Sequence, residues 1–210
     1  MMSRLALPLL ASCLALALPA AVSAQTVIEE WGSVKAPPAP ALKPVTIDAK
    51  QTAMLVMDFN KNTCVPQRRA RCATVLPKVK KLLAEARAHG LTIIHTTAGT
   101  ATRADISPEL APMEGEPVFA PGLNKLASPE LVKILKDKKI TTLLLVGTSA
   151  NGAVLFTAGG AAQLDYKIIV PVDGMPADGA YQEQFAVWDI ANGPTVHDHA
   201  TLTRIDMIKF

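Results

Sequence analysis

Four apolar segments along the chain are each long enough to form one buried strand, and helical segments lie between them. The apolar segments read AMLVMDF, LTIIHTT, ITTLLLVG and YKIIVPVDG. Continuous apolar runs of this length are typical of strands that are buried on both faces of a sheet. The segments that predict helices are VLPKVKKLLAEARAHG, SPELVKILKDKK, GAVLFTAGGAAQLD and YQEQFAVWDIAN. This alternation predicts an α/β fold with a mostly parallel sheet covered on both faces, and ATLTRIDMI is expected to be an edge strand.

Polar residues stand where three of the predicted strands end. Asp58 follows the first strand, the turn 147–153 follows the third, and Asp173 follows the fourth. In parallel sheets of this kind, ligands bind beyond the carboxyl ends of the strands. Asp58 is therefore a candidate for acid or base chemistry, although capping a helix or a loop is an equally open role. Asp173 is expected to stabilise the turn before GMPADGAY.

The turn GTSANGAV after the third strand offers further candidates. Ser149 could be a nucleophile, but no histidine lies at a spacing that ties it to this serine. Asn151 and Gly152 begin the predicted helix, where free backbone N–H groups favour anionic or oxyanion groups. Simple capping is the alternative role for these two residues. The turn lacks the lysine and the glycine spacing of a phosphate-binding loop.

The histidines and the distribution of charge give little support for a metal ion or nucleic acid as a partner. His197 and His199, in the sequence HDH, give only a weak metal signal, because they lie on an expected surface turn. His95 is expected to be a hydrogen-bonded strand residue. We expect no metal and no cofactor. The formal net charge of +3 is spread along the chain without a basic stripe, which argues against nucleic acid as a main partner.

The first residues have the pattern of a secretory signal peptide. Arg4 precedes a long apolar run, and VSA stands just before Gln25. This pattern predicts a signal peptide over residues 1–24, cleaved after Ala24, and a periplasmic or secreted protein. A membrane anchor is the alternative, which the prolines inside the run disfavour. No stable membrane association is expected once the signal is removed.

The cysteines also bear on whether the protein is exported and whether it is anchored to a membrane. LASC, ending at Cys13, resembles a lipoprotein cleavage site after an unusually short apolar run, so lipidation is an alternative to simple cleavage. Cleavage after Ala24 leaves Cys64 and Cys72, which close the short segment CVPQRRARC. A cysteine pair in an exported protein predicts a disulfide, and two buried free thiols are the alternative.

One domain follows an extended lead-in. Residues 25–50 are rich in proline and alanine and predict an extended segment, and residues 51–210 predict a single domain. Inside this domain, the long proline-rich segment 98–124 is expected to be a functional lid or to carry a short strand at EPVF.

Three blocks of the sequence together resemble the isochorismatase-like hydrolase superfamily. They are LVMDF, the lysine in GLNKLASPEL, and LLLVGTSANGAVLFTAGGAAQLDYKIIVPVDG. The resemblance runs from about Thr52 to Ile208 and is most specific between Gly147 and Gly174. It implies a three-layer sandwich with a Rossmann-like sheet, and a homo-oligomer, often a dimer.

The resemblance also implies which residues form the active site. Most members of the superfamily use an Asp–Lys–Cys triad, and its first two positions fall on Asp58 and Lys125. The nucleophile position falls on Ala153, so a covalent route through cysteine is not available here. The resemblance further implies a non-proline cis peptide bond, expected at Ser149–Ala150.

Some members of the superfamily lack the cysteine and use the aspartate as a general acid on a vinyl ether. By this resemblance, the chain is expected to be an exported hydrolase of a small molecule, with Asp58 as the acid or base and Lys125 orienting it. The substrate-binding residues would be those of the turn: Ser149, Ala150, Asn151 and Gly152. The rival prediction is a pseudoenzyme that binds a small molecule without turning it over.

Overall fold

The computed structural model describes residues 26–210, so the predicted signal peptide and the alternative lipid site at Cys13 lie outside the described residues. The described residues divide into two units, of which the first ends at Pro37 and the second covers Pro38–Phe210. Within the first unit, the described residues include one short helix, α1 (Val27–Glu30), whose N-cap is Thr26. No helix among residues 26–210 is long and apolar enough to cross a membrane.

The second unit contains the predicted alternation of strands and helices. Its strands are β1 (Val45–Thr46), β2 (Thr52–Met57), β3 (Thr92–Thr96), β4 (Val118–Phe119), β5 (Thr142–Gly147), β6 (Lys167–Pro171), β7 (Ala200–Thr203) and β8 (Ile208–Lys209). Its helices are α2 (Pro66–Ala88), α3 (Pro129–Asp137), α4 (Leu155–Gln163), α5 (Ala180–Asn192) and α6 (Val196–His199).

A six-stranded parallel sheet forms the centre of this unit. Its strand order is β4-β3-β2-β5-β6-β7, and every neighbouring pair is parallel. The short strand β4 comes from EPVF inside the segment 98–124, and β7 is the expected edge strand. The α/β fold with a mostly parallel sheet is therefore confirmed.

The sheet is covered on both faces because alternate residues of its strands point to opposite sides. On one face, strand residues such as Leu55, Leu143 and Leu145 pack in one buried cluster with residues from α3, α4 and α5. On the other face, Met54 and Val56 pack in a second cluster with residues of α2. The three layers of the predicted sandwich follow from these two clusters.

The lead-in 25–50 is not extended throughout. It contains α1, and β1 pairs in parallel with β8 in a separate two-stranded sheet. Ile47 extends this pairing, since its N–H donates to the carbonyl oxygen of Lys209 at 2.8 Å. The second unit consequently begins at Pro38, ahead of the predicted boundary at residue 51.

Helix α2 begins earlier than the helical spacing of VLPKVKKLLAEARAHG predicts. Pro66 stands in its first turn, where proline is favoured because its fixed φ suits a helix and its missing N–H is not needed. Arg69 has a non-helical backbone (φ −145°, ψ 75°) that divides the helix. Gly90 follows the C-cap with a φ of +74°, a conformation that favours glycine and is common just after a helix.

Candidate active site

Asp58 lies at the carboxyl end of the central strand β2, between β3 and β5. Its backbone has a φ of +58°, and its N–H donates to the carbonyl oxygen of Thr96 at 3.0 Å. On the other side, Gly147 ends β5 opposite Met57. A Cβ at Gly147 would lie 2.6 Å from the Met57 Cβ, so only glycine permits this close approach of β2 and β5.

Lys125 and Thr96 both hydrogen-bond to the Asp58 carboxylate. Lys125 Nζ lies 2.7 Å from Asp58 Oδ2, and Thr96 Oγ1 donates to Asp58 Oδ1 at 2.7 Å. The side chains of Lys125 and Asp58 are only 0% and 6% exposed. The structure thus brings together the two residues that the family resemblance selects, within the direct contact that acid–base partners need.

The position of Lys125 is fixed by helix α4 and by the end of the segment 98–124. Its backbone N–H donates to Thr157 Oγ1 of α4 at 3.1 Å. The preceding Asn124 accepts from the N–H of Leu126 at 3.0 Å and so caps the short turn that begins at Lys125. Lys125 Nζ also donates to the carbonyl oxygen of Gly122 at 2.5 Å. The segment 98–124 therefore contributes both a strand and a ligand of the buried ammonium group.

Small residues in α4 let this turn approach closely. A Cβ at Gly160 would overlap the carboxamide of Asn124. At Gly160 the backbone of α4 therefore lies directly against the turn that carries Lys125.

The turn after β5 lies beside Asp58. The N–H of Thr148 donates to the carbonyl oxygen of Met57 at 3.0 Å. A cis peptide bond joins Thr148 and Ser149, one bond earlier than the Ser149–Ala150 bond that the resemblance led us to expect. Ala153 is buried in the cluster formed with α3, α4 and α5.

The predicted substrate-binding residues differ in whether their hydrogen-bonding groups are available to a ligand. A π-helical turn spans Ala150–Val154, so regular helix begins only at Leu155 and not at Asn151 as predicted. The N–H of Ala150 donates to the Pro176 carbonyl oxygen at 3.3 Å, and that of Gly152 donates to Ser149 at 3.0 Å. Both N–H groups are therefore occupied within the protein. Ser149 and Asn151 are half-buried.

The predicted disulfide is present between Cys64 and Cys72, with their Cα atoms 5.0 Å apart. It closes the turn that contains Arg69, a residue that the sequence did not single out. Arg69 Nη1 donates to Thr148 Oγ1, and its Nε donates to Asp178 Oδ1 at 2.6 Å. The disulfide-closed turn thus reaches the turn after β5.

The remaining sequence candidates lie in other contacts. Asp173 lies in the turn Val172–Gly174 after β6 and accepts from the N–H of Ile205 at 2.9 Å, so it ties this turn to the segment before β8. His197 Nε2 pairs with Asp198 at 3.1 Å. Within residues 26–210, no group of three or more His, Cys, Asp or Glu side chains is placed to hold a metal ion.

His95 is a buried strand residue, as expected. Its Nε2 lies 2.9 Å from Glu116 Oε2. Glu116 also accepts from Arg87 of α2 through both of its carboxylate oxygens, at 2.8 Å each. This group links β3, α2 and the segment 98–124 on the side of β3 away from Asp58.

Comparison with solved structures finds the same fold in several other proteins. An isochorismatase-like hydrolase from Alkaliphilus metalliredigens is 24% identical, with a TM-score of 0.65 over 74% of this chain and 95% of that chain. A cysteine hydrolase from Pseudomonas syringae is 18% identical, with a TM-score of 0.68 over 80% and 94%. An isochorismatase from Pseudomonas putida is 19% identical, with a TM-score of 0.66 over 89% and 100%.

Sequence comparison gives the family. A search of curated proteins finds no match to the chain. The family model of the isochorismatase domain matches residues 52–201, a range that contains Asp58, Lys125 and the turn after β5. The chain belongs to the isochorismatase family.

Proposed function

We propose that the chain is a hydrolase of a small molecule that works without a cysteine nucleophile, with Asp58 as its general acid and base. The observation that carries this proposal is the buried contact of Lys125 Nζ with Asp58 Oδ2 at 2.7 Å. Ionisable groups this well removed from water are costly unless they are paired, and they are concentrated at functional sites. Ala153 cannot form a covalent intermediate, so the chemistry is assigned to the carboxyl group.

A vinyl ether suits this set of residues. Asp58 would first take up a proton from water and then give it to the terminal carbon of the substrate double bond, which leaves an oxocarbenium-like species and restores the carboxylate that pairs with Lys125. Lys125 and Thr96, both 2.7 Å from the carboxylate oxygens, would stabilise the charge that forms there. Water would then add to the cationic carbon and return a proton to Asp58. The hemiketal so formed breaks into an alcohol and a carbonyl compound.

Substrate contacts are proposed for the turn after β5. Ser149 and Asn151 are half-buried in this turn, and their side chains can donate to polar substrate atoms. Ala150 and Gly152 would contribute shape, because their N–H groups donate within the protein.

Export is part of the proposal. It rests on the signal pattern of residues 1–24 and is supported by the disulfide between Cys64 and Cys72, since disulfides persist mainly in oxidising compartments.

A small-molecule-binding pseudoenzyme is the second candidate. Ala153 at the nucleophile position is the observation that favours it. The two functions differ in what they require of Asp58, because a binding protein can retain its ligand without the carboxylate, whereas the hydrolase cannot turn over its substrate.

The test is a hydrolysis panel of vinyl ethers (isochorismate included), esters and amides. The proteins compared are the wild type, Asp58→Asn and Asp173→Asn. Asp173 is the matched control, since it also follows a strand but bonds to Ile205 and Lys78. We expect turnover that is lost in Asp58→Asn and kept in Asp173→Asn. Turnover equal in all three proteins would overturn the role of Asp58, and no turnover in any would favour the pseudoenzyme.

A further inference from the structure

Arg69 is held in an unusual place by the fold. It lies between Cys64 and Cys72, in the turn that the disulfide closes. Its backbone departs from helical values (φ −145°, ψ 75°) inside α2. A regular helix would send this side chain in another direction, because side-chain direction follows backbone conformation. The disulfide and the break in α2 therefore both affect where the guanidinium lies.

The guanidinium lies at the same end of the sheet as the acid–base pair. Arg69 Nη1 donates to Thr148 Oγ1. The N–H of Thr148 donates in turn to the carbonyl oxygen of Met57, the residue before Asp58, at 3.0 Å. Thr148 is thus the one residue that links Arg69, through hydrogen bonds, to the backbone before Asp58.

Arg69 retains donors and charge for a ligand. Its side chain is 17% exposed, whereas that of its ion-pair partner Asp178 is 64% exposed. Water therefore screens the Asp178 carboxylate strongly. Arg69 donates to Asp178 from Nε alone and to Thr148 from Nη1. The other N–H groups of this guanidinium have no acceptor among the hydrogen bonds of residues 26–210.

We propose that Arg69 binds an anionic group of the substrate, and that this group is a carboxylate. Arginine suits a carboxylate because its planar fork of N–H groups matches the two oxygens, and a partly desolvated guanidinium makes such contacts stronger than an exposed one. Carboxylate recognition serves the same site as the hydrolase reaction and so rests on the function proposed above.

Arg71 provides the matched comparison within the same turn. It donates to both carboxylate oxygens of Glu183 in α5, so its fork is already filled. Glu183 also accepts from the N–H of Ala177 at 3.0 Å. Arg71 therefore secures α5, and it is not expected to recognise a ligand.

The test measures binding, not turnover. Benzoate and acetate are titrated against their neutral isosteres benzamide and acetamide, using heteronuclear NMR on the purified protein. The wild type is compared with Arg69→Met, Arg69→Lys and Arg71→Met. We expect the wild type to prefer the carboxylates, and Arg69→Met to lose about ten- to a hundredfold in carboxylate affinity, the loss typical of a charged hydrogen bond. The carboxylate affinity of Arg69→Lys, which keeps the charge without the planar guanidinium, should lie between those of the wild type and Arg69→Met.

Arg71→Met is expected to keep the preference for carboxylates. Equal loss in Arg69→Met and Arg71→Met would overturn the proposal, as would a wild type that binds carboxylates no better than amides. Failure of the hydrolase function gives a different result, namely no turnover together with an intact carboxylate preference that depends on Arg69.

Discussion

At the scale of single residues, Asp58 and Lys125 form a charge pair from which water is almost completely excluded. Removing two charges from water costs several kcal/mol per ion, and their attraction offsets this only with good geometry and additional hydrogen bonds. Both conditions are met, because Thr96 donates to the free oxygen of Asp58 and Gly122 accepts from the ammonium group. Either charge alone would be strongly disfavoured in the same place.

Lys125→Met is therefore expected to lower the free energy of unfolding by about 3–5 kcal/mol, because it leaves the Asp58 charge buried without its partner. The double variant Asp58→Asn, Lys125→Met should recover part of this loss. Urea unfolding of the two single variants and the double variant gives the coupling energy. Strictly additive losses would show that the two side chains do not interact.

The residues of the site differ in how far the sequence could predict them. Asp58 follows a recognisable strand, and the family pattern selects Lys125. Thr96 was missed although it also ends a strand, because its bond to Asp58 depends on the register that sets Thr96 beside Met57. Arg69 was missed because its direction depends on a break in α2, which leaves no mark in the spacing of apolar residues.

At the scale of elements, the two adjacent glycines of α4 have opposite roles. A Cβ at Gly160 would overlap the Asn124 carboxamide, whereas one at Gly159 would meet nothing within 4 Å. Asn124 caps the turn that begins at Lys125. The helix thus supports the acid–base pair through a single missing methyl group.

Gly160→Ala is expected to destabilise the protein by about 1–3 kcal/mol, the usual cost of overpacking, and to reduce activity by displacing the turn that carries Lys125. Gly159→Ala is the matched control and should stabilise the helix by up to about 1 kcal/mol, since alanine is the better helix former. Thermal unfolding and the hydrolysis panel measure both effects. Equal behaviour of the two variants would contradict the role assigned to Gly160.

The elements themselves were largely predictable. The strands are continuous apolar runs, and the serine that opens SPELVKILKDKK, Ser128, caps α3 by accepting from the N–H of Leu131 at 3.2 Å. The short strands β1 and β8 could not be predicted, because two residues carry no periodicity and their pairing joins distant parts of the chain. The early start of α2 could not be predicted either, because the break at Arg69 leaves no mark in the spacing of apolar residues.

At the scale of the whole molecule, the buried His95 makes stability depend on pH. Burial lowers the pKa of His95 below its usual 6.5, and the hydrogen bond to Glu116 only partly opposes this effect. Burial also acts to raise the pKa of Glu116, but the hydrogen bonds from Arg87, Met113 and His95 outweigh it and lower this pKa to about 2.

The signs follow from linkage between protonation and folding. Below pH 6.5 the unfolded chain takes up a proton at His95 that the folded protein resists. The stabilising contribution of Glu116 is complete above pH 4.5 and is lost as the pH falls towards about 2. Both groups therefore make the protein less stable in acid, and His95 acts first.

We expect the free energy of unfolding to fall between about pH 7 and pH 5, and His95→Gln to flatten this dependence because glutamine does not titrate. His197→Gln, at a largely exposed histidine, is the control and should leave the dependence unchanged. Urea unfolding at a series of pH values measures all three proteins. A slope that His95→Gln leaves intact would assign the effect to other groups.

The parallel pairing of β1 with β8 also governs when the domain can be completed as the chain emerges, N-terminus first, into the compartment where it folds. Val45 lacks its strand partner until Ile208 has also emerged. The nascent chain can begin to assemble its central sheet as soon as β2, β3 and β5 are available, but the β1 segment stays open until β8 arrives. The order in which the chain emerges thus makes closure of this small sheet a late folding event, and a chain interrupted before β8 would remain incompletely folded and accessible to proteases.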